Sequence, residues 1–82
     1  MYTKSELDFM QNIEVSQLLL AGESDAATDL LRTFTLERLE ASKRSCQFLM
    51  TKQLQLTVAQ TVCLSSKIII INELIKTGQH EL

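Results

Sequence analysis

The chain has 82 residues, of which 45% are apolar and 22% charged, with no proline and two glycines. This length and composition predict one compact domain over residues 1–82 and exclude a second domain or a long linker. A fold of this size buries only about 60% of the surface of its unfolded chain, so a single copy gains little stability without a metal, disulfides or a partner.

The charge is divided unevenly along the chain. Residues 1–31 carry one basic and six acidic side chains, a net of −5, whereas residues 32–52 carry five basic and two acidic ones, a net of +3. The remaining residues 53–82 are neutral. A basic stretch of this size fits phosphate contacts, but it is more typical of a solvated helix face.

Two helices are predicted in the acidic half of the chain. Ser5 is a candidate N-cap for a first helix over residues 5–21, and Gly22 supplies the left-handed residue that ends helices. Ser24 is a second candidate N-cap, for a short helix over residues 25–33.

Two further helices are predicted after Phe34. Thr35 can cap a helix over residues 36–50, and a fourth helix is expected over residues 58–77, ending at Gly78. Alternation from Leu54 to Val58 favours a strand, but no glycine or proline follows to turn a hairpin, so the helix is preferred. The apolar set of this helix, spaced by threes and fours, is Val58, Val62, Ser65, Ile69, Asn72 and Ile75.

The run Ile68–Ile71 predicts a partner chain. Four consecutive helical positions sweep about 300° of the circumference, so these side chains point in nearly every direction. A helix that is apolar all round has to be buried all round, and three short helices cannot cover it. We expect an all-α, interlocked homodimer, with a heteromeric partner as the other source of cover. The residues assigned to the dimer core are Leu18, Leu20, Ile68, Ile69, Ile70 and Ile71.

The sequence predicts neither an enzyme nor a membrane protein. Its one histidine, His80, is expected to fray near the C-terminus without a pocket, and phosphate-binding glycine loops and catalytic motifs are absent from the sequence. Cys46 and Cys63 lack metal-ligand spacing and are expected to be small buried hydrophobes. The longest unbroken apolar run, four residues, is far below the roughly 20 needed to span a bilayer. We therefore expect no cofactor, no small-molecule substrate, no membrane partner and a cytoplasmic location.

Residues 25–50 are also compatible with a helix-turn-helix, in which a second helix meets DNA. The candidate DNA contacts on it are Arg38, Lys43 and Arg44. They do not form one clean basic face, because Arg38 and Arg44 lie about 120° apart around the helix. A supporting role on DNA, positioned by another subunit, therefore stays open.

Three blocks of the sequence carry a recognisable pattern. One motif is the ending Ser-x-Leu-Leu-Leu-Ala of the first helix, at residues 16–21. The stretches of the three blocks are Ser5–Leu7, Ile13–Ala21, Ala27–Leu31, Phe34–Leu36, Cys46–Leu49, Leu64–Ile69 and Asn72–Glu73. Together they resemble the FlhD family, the smaller subunit of the flagellar master transcription activator of enteric bacteria, which has relatives on conjugative mobile elements. The connection between the first two helices is shorter than in that family, which fits a mobile-element relative.

The resemblance implies an all-helical homodimer that assembles with a larger, zinc-containing FlhC-like subunit, binds promoter DNA through the complex and recruits RNA polymerase. The family's partner contact maps onto Gln60, Val62 and Leu64. The alternative is a small helical adaptor, such as a secretion co-chaperone or an antiactivator, that masks a partner through a helix-in-groove contact.

Overall fold

The computed structural model describes residues 3–52 and 55–81, and these form four helices: α1 (Lys4–Leu20), α2 (Ser24–Leu31), α3 (Leu36–Thr51) and α4 (Val58–Thr77). No strand occurs within the described residues, where extended pairing is limited to an isolated bridge between Thr35 and Glu81. The all-α prediction is confirmed, with each helix boundary within two residues of its predicted position. Leu54, the first residue of the alternating pattern, lies outside the described residues.

The predicted N-caps of the first two helices are wrong. Thr3, not Ser5, caps α1, and its hydroxyl accepts the Glu6 backbone N–H at 3.2 Å. Ser24 is already helical, and the N-cap of α2 is Glu23, whose carbonyl accepts the first helical hydrogen bond from Ala27 at 3.1 Å. Each N-cap therefore lies one or two residues before the predicted serine, at a residue whose backbone is not helical.

The start of α3 and both ends of α4 are specified by residues adjacent to them in the sequence. Thr35 caps α3 as predicted, accepting the Arg38 N–H at 3.2 Å. Thr57 and Gln60 form a reciprocal capping box at the start of α4. Gly78 adopts a left-handed φ of 70° after α4, the conformation that costs glycine no Cβ strain.

One hydrophobic core joins all four helices. α4 packs against both α1 and α3, and α2 packs against α1. The side chains buried in this core are Val15, Ala27, Leu31, Phe34, Leu39, Ile71 and Leu74. The helix that is last in sequence is thus central to the fold.

The face that α4 buries is not the predicted apolar set. Its buried residues are Cys63, Lys67, Ile71 and Leu74. The predicted set lies mostly on the opposite side, where Val58, Ile69 and Asn72 are exposed, although Ile75 packs partly against the core. The spacing of the apolar residues could not show which face of α4 is buried, because both faces consist largely of apolar or small residues.

α4 is also long and apolar enough to span a membrane, with a mean hydropathy of 1.5 over its best window. The longest unbroken apolar run, on which the expectation of no membrane span was based, does not detect α4, because polar residues interrupt its apolar stretches. Core helices of water-soluble proteins pass the same test. Here α4 packs against α1 and α3 and holds Lys67 on its buried face. Length and composition alone therefore do not assign α4 to a membrane.

Candidate protein-binding site

The outer face of α4 is apolar and uncovered within one chain. We define this outer face as Val58, Val62, Ser65, Ile69 and Asn72. Its three aliphatic side chains, at positions 58, 62 and 69, are 82%, 57% and 68% exposed. Steps of four, three, four and three residues keep the five positions on one stripe, the spacing by which helices pair in coiled coils. The outer face is thus a largely apolar, mostly exposed stripe with the periodicity of helix-pairing surfaces.

Exposed apolar side chains continue beyond α4. Twelve large hydrophobic side chains of the described residues are exposed, and those outside α4 are Leu7, Phe9, Met10, Ile13, Leu20, Leu36, Phe48, Leu49 and Met50. Single exposed apolar residues are ordinary, but contiguous apolar surface marks interaction sites. These exposed side chains make the surface of the described chain unusually apolar for its length.

The residues predicted for a dimer core are buried, half-buried or exposed. Ile71 is fully buried in the chain's own core. Leu18, Ile68 and Ile70 are half-buried, and of these Leu18 and Ile70 pack against that core. Only Leu20 and Ile69 remain exposed and available to a second chain. A single chain therefore covers more of the isoleucine run than the sequence indicated.

The three residues predicted to bind a partner do not share one face. Val62 lies on the outer face, whereas Gln60 and Leu64 line a hollow on the other side of α4 together with Leu20 and Leu49. Gln60 also accepts the Thr57 backbone N–H at 2.9 Å through its side chain, as part of the capping box. Any partner that contacts all three residues must wrap around the start of α4.

Arg38 makes structural contacts inside the chain. Its Nε donates to Asp8 Oδ1 at 2.6 Å and its Nη2 to Gln11 Oε1 at 2.6 Å, while its guanidinium carbon lies 3.8 Å from the centre of the Phe34 ring. These contacts tie α3 to α1. Among the three candidate DNA contacts, Lys43 is half-buried and Arg44 is exposed, so Arg44 is the cation best placed to reach phosphate.

A groove runs between α1 and α3, with α4 as its floor. Two hollows of about 420 and 280 Å³ share Ser16, Leu49 and Leu64, so they form one continuous depression. From the floor, Lys67 Nζ donates to Ser16 Oγ on α1 at 3.3 Å, and Ser42 Oγ on α3 donates across to Asn12 Oδ1 on α1 at 2.9 Å. Lys67 was not among the predicted site residues, although its spacing from Cys63 and Ile71 places all three on one helix face.

Both cysteines are buried beside this groove, as predicted. Burial raises the pKa of the Cys46 thiol, Lys67 partly offsets this rise, and Cys63 adds to it. A raised pKa means that the folded chain favours the protonated thiol. The resulting stability is present below the thiol pKa of the unfolded chain and is lost as the pH rises through the higher folded value.

We expect Cys46 to react slowly with a disulfide reagent at about pH 8, because the thiolate is the reactive form and the side chain is covered. The measurement uses Cys63→Ala, so that one thiol is followed. The matched control carries Ser45→Cys and Cys46→Ala in the same background, which moves the thiol to an exposed neighbour. Equal labelling rates for the two proteins would contradict the buried position of Cys46.

The C-terminal segment is held in place, contrary to the expectation of fraying. The Glu81 N–H donates to the Phe34 carbonyl at 2.9 Å, and His80 lines a cavity of about 710 Å³ beside Lys4, Glu37 and Arg38. This hydrogen bond to the α2–α3 turn positions His80 and was not evident from sequence. In the described part of the chain, no three His, Cys, Asp or Glu side chains are grouped to hold a metal ion.

Comparisons of this chain with protein-family models, with curated proteins and with solved structures give no match.

Proposed function

We propose that this chain is a non-enzymatic, cytoplasmic subunit of a transcription-activating complex. In this proposal it forms a homodimer and assembles with a larger zinc-containing, FlhC-like subunit that binds promoter DNA and recruits RNA polymerase. The observation that carries the proposal is the exposed, heptad-spaced outer face of α4. The named partner rests on the resemblance of the three sequence blocks to the FlhD family.

The outer face is long enough for two contacts. From Val58 to Asn72 it extends about 21 Å, at 1.5 Å of rise per residue. We assign its C-terminal half, around Ile69, to the second copy, because the isoleucine run lies there. Its N-terminal half, around Val62, is assigned to the larger subunit, together with Gln60 and Leu64 on the adjoining side of α4.

The DNA contribution of this subunit is proposed to be small. Arg38 is bound to Asp8 and Gln11, which leaves Lys43 and Arg44 as phosphate contacts. Phosphate contacts position a protein on DNA without reading the sequence. The chain alone should therefore bind duplex DNA weakly and lose that binding readily in salt, whereas the complex binds tightly.

The second candidate function is a small helical adaptor that binds one partner protein and no DNA. The intramolecular engagement of Arg38 favours it, because a guanidinium group held by Asp8 and Gln11 is less free to contact phosphate. The two functions differ in the partner that they require.

Co-expression with an FlhC-like protein, which the proposal expects to be encoded near this chain, tests the proposal. We expect the two proteins to elute together and to shift promoter DNA only as a complex. Val62→Ser should abolish co-elution, whereas the matched polar change Gln47→Ser, at an exposed position of α3, should not. Lys43→Gln with Arg44→Gln should keep the complex intact and reduce the slope of log affinity against log salt by about 2.

Separate elution of the two proteins would overturn the transcription-subunit proposal and favour the adaptor. Tight, sequence-specific DNA binding by this chain alone would also overturn it.

A further inference from the structure

The groove between α1 and α3 contains a buried cation that lacks a carboxylate partner. Lys67 is only 6% exposed, and its ammonium group makes one hydrogen bond, to Ser16 Oγ at 3.3 Å. Among the described residues no carboxylate lies within 4 Å of it, since the ion pairs there are Asp29 with Arg32 and Asp8 with Arg38. An ammonium group has three donors, and burying it without a counter-charge is unfavourable.

The other polar groups at the floor do not supply that charge. Asn12 and Ser42 are neutral and hydrogen-bond to each other, and the Cys63 thiol donates to the Ser16 carbonyl at 3.7 Å. Asp8 lines the same hollow, but its carboxylate is bound by Arg38. The groove therefore presents the Lys67 ammonium to a ligand without a free counter-charge, since the one carboxylate among the lining residues, Asp8, is bound to Arg38.

The walls of the groove fit an amphipathic helix. Phe9 and Leu20 on α1 and Leu49 on α3 line it and remain exposed, and Leu64 lies between them on α4. From Ser5 to Leu20 the α1 wall is about 22 Å long, which corresponds to about four helical turns. Helix-in-groove complexes use this combination of apolar walls and a few fixed polar contacts.

We propose that this groove binds an amphipathic helix of a partner protein, and that a single Asp or Glu on the apolar face of that helix pairs with Lys67. The carboxylate would supply the charge and the acceptors that the ammonium lacks, and the apolar side chains around it would cover Phe9, Leu20 and Leu49. The inference does not depend on the FlhD-like assignment, because an activator subunit and an adaptor would use the same groove. The groove is distinct from the outer face of α4, although Gln60 and Leu64, which line it, also belong to the contact proposed for the larger subunit.

A surface-displayed library of amphipathic helical peptides, each about 18 residues long, tests whether the groove requires a carboxylate on the bound helix. One central position on the apolar face is varied over all amino acids, and binders are selected on the full-length chain. We expect Asp and Glu to be enriched at that position. In a selected peptide, Glu→Gln should weaken binding about tenfold, the change that 1.4 kcal/mol produces.

Two substitutions at Lys67 give the matched controls. Lys67→Met keeps an unbranched apolar stem, so this variant should fold and retain its helical circular dichroism. Peptides selected on it should no longer prefer acidic residues at the varied position. Lys67→Glu should instead enrich Lys and Arg at the varied position. A reversal of the selected charge cannot arise from a merely structural role of Lys67.

Three results would overturn the proposal. One is the absence of acidic enrichment with the original chain, and another is unchanged enrichment with Lys67→Met. The third is conversion of a dimer to a monomer by Lys67→Met, which would assign the groove to a second copy of the chain. Failure of the chain to assemble with an FlhC-like subunit would leave these selections unaffected, so the two proposals fail separately.

Discussion

Ile69→Asp is expected to convert the proposed homodimer into a folded monomer. Ile69 is mostly exposed within one chain, so an aspartate there is solvated and leaves the fold intact. In a dimer that covers the outer face of α4, the same carboxylate would be buried without a partner, which costs several kcal/mol. Dimer affinity should fall by more than about a hundredfold. Light scattering at micromolar concentration measures the mass, and circular dichroism the helix content.

The conservative change Ile69→Val is the matched control, because it retains a β-branched side chain and should leave the dimer intact. Gln47→Asp, on the exposed surface of α3, controls for the added charge. A monomeric original chain under these conditions, or a dimeric Ile69→Asp protein, would refute the assigned interface.

Ile71→Asp is expected to prevent folding altogether. Ile71 is fully buried in the core with Leu31, Leu39 and Leu74. An unpaired carboxylate in that core costs several kcal/mol, against a total stability of about 5–15 kcal/mol for a typical domain. The circular dichroism spectrum should lose its helical signal, and the chain should accumulate in the insoluble fraction. Ile71→Ala should fold but lose about 2–5 kcal/mol of unfolding free energy in a urea titration.

The two aspartate variants together test the orientation of α4. The substituted positions are two residues apart and carry the same side chain, yet one change should affect only association and the other folding. If Ile71→Asp folds while Ile69→Asp does not, α4 packs with the opposite face inward.

The helices were predictable because their signals are local. Thr35 and Gly78 specify helix ends through their own side-chain and backbone chemistry, so their roles could be deduced within a few residues of sequence. The wrong caps at Ser5 and Ser24 have the same origin. Several hydroxyl or acidic residues lie close together in the sequence at the starts of these two helices. The backbone hydrogen bonds, and not the residue type, determine which of them becomes the N-cap.

The faces of α4 and the role of Arg38 were not predictable, because both depend on distant contacts. Arg38 bonds Asp8, 30 positions earlier in the chain, and a basic residue on a basic helix looks the same in sequence whether it is free or engaged. Lys67 occupies the buried face of α4, where a charged residue is not expected. The burial of Lys67 depends on the packing of α1 and α3 against α4, which the local sequence does not specify.

The position of α4 in the chain has a consequence for the order in which the protein folds during synthesis. α4 supplies Ile71 and Leu74 to the core and packs against both α1 and α3, yet it is translated after both of them. Until it emerges from the ribosome, α1 and α3 have no common surface on which to bury their apolar residues. Contacts between segments far apart in the chain also form slowly. The nascent chain therefore passes through a stage in which its hydrophobic surface is open to chaperones, and partner helices can compete for that surface before α4 occupies it.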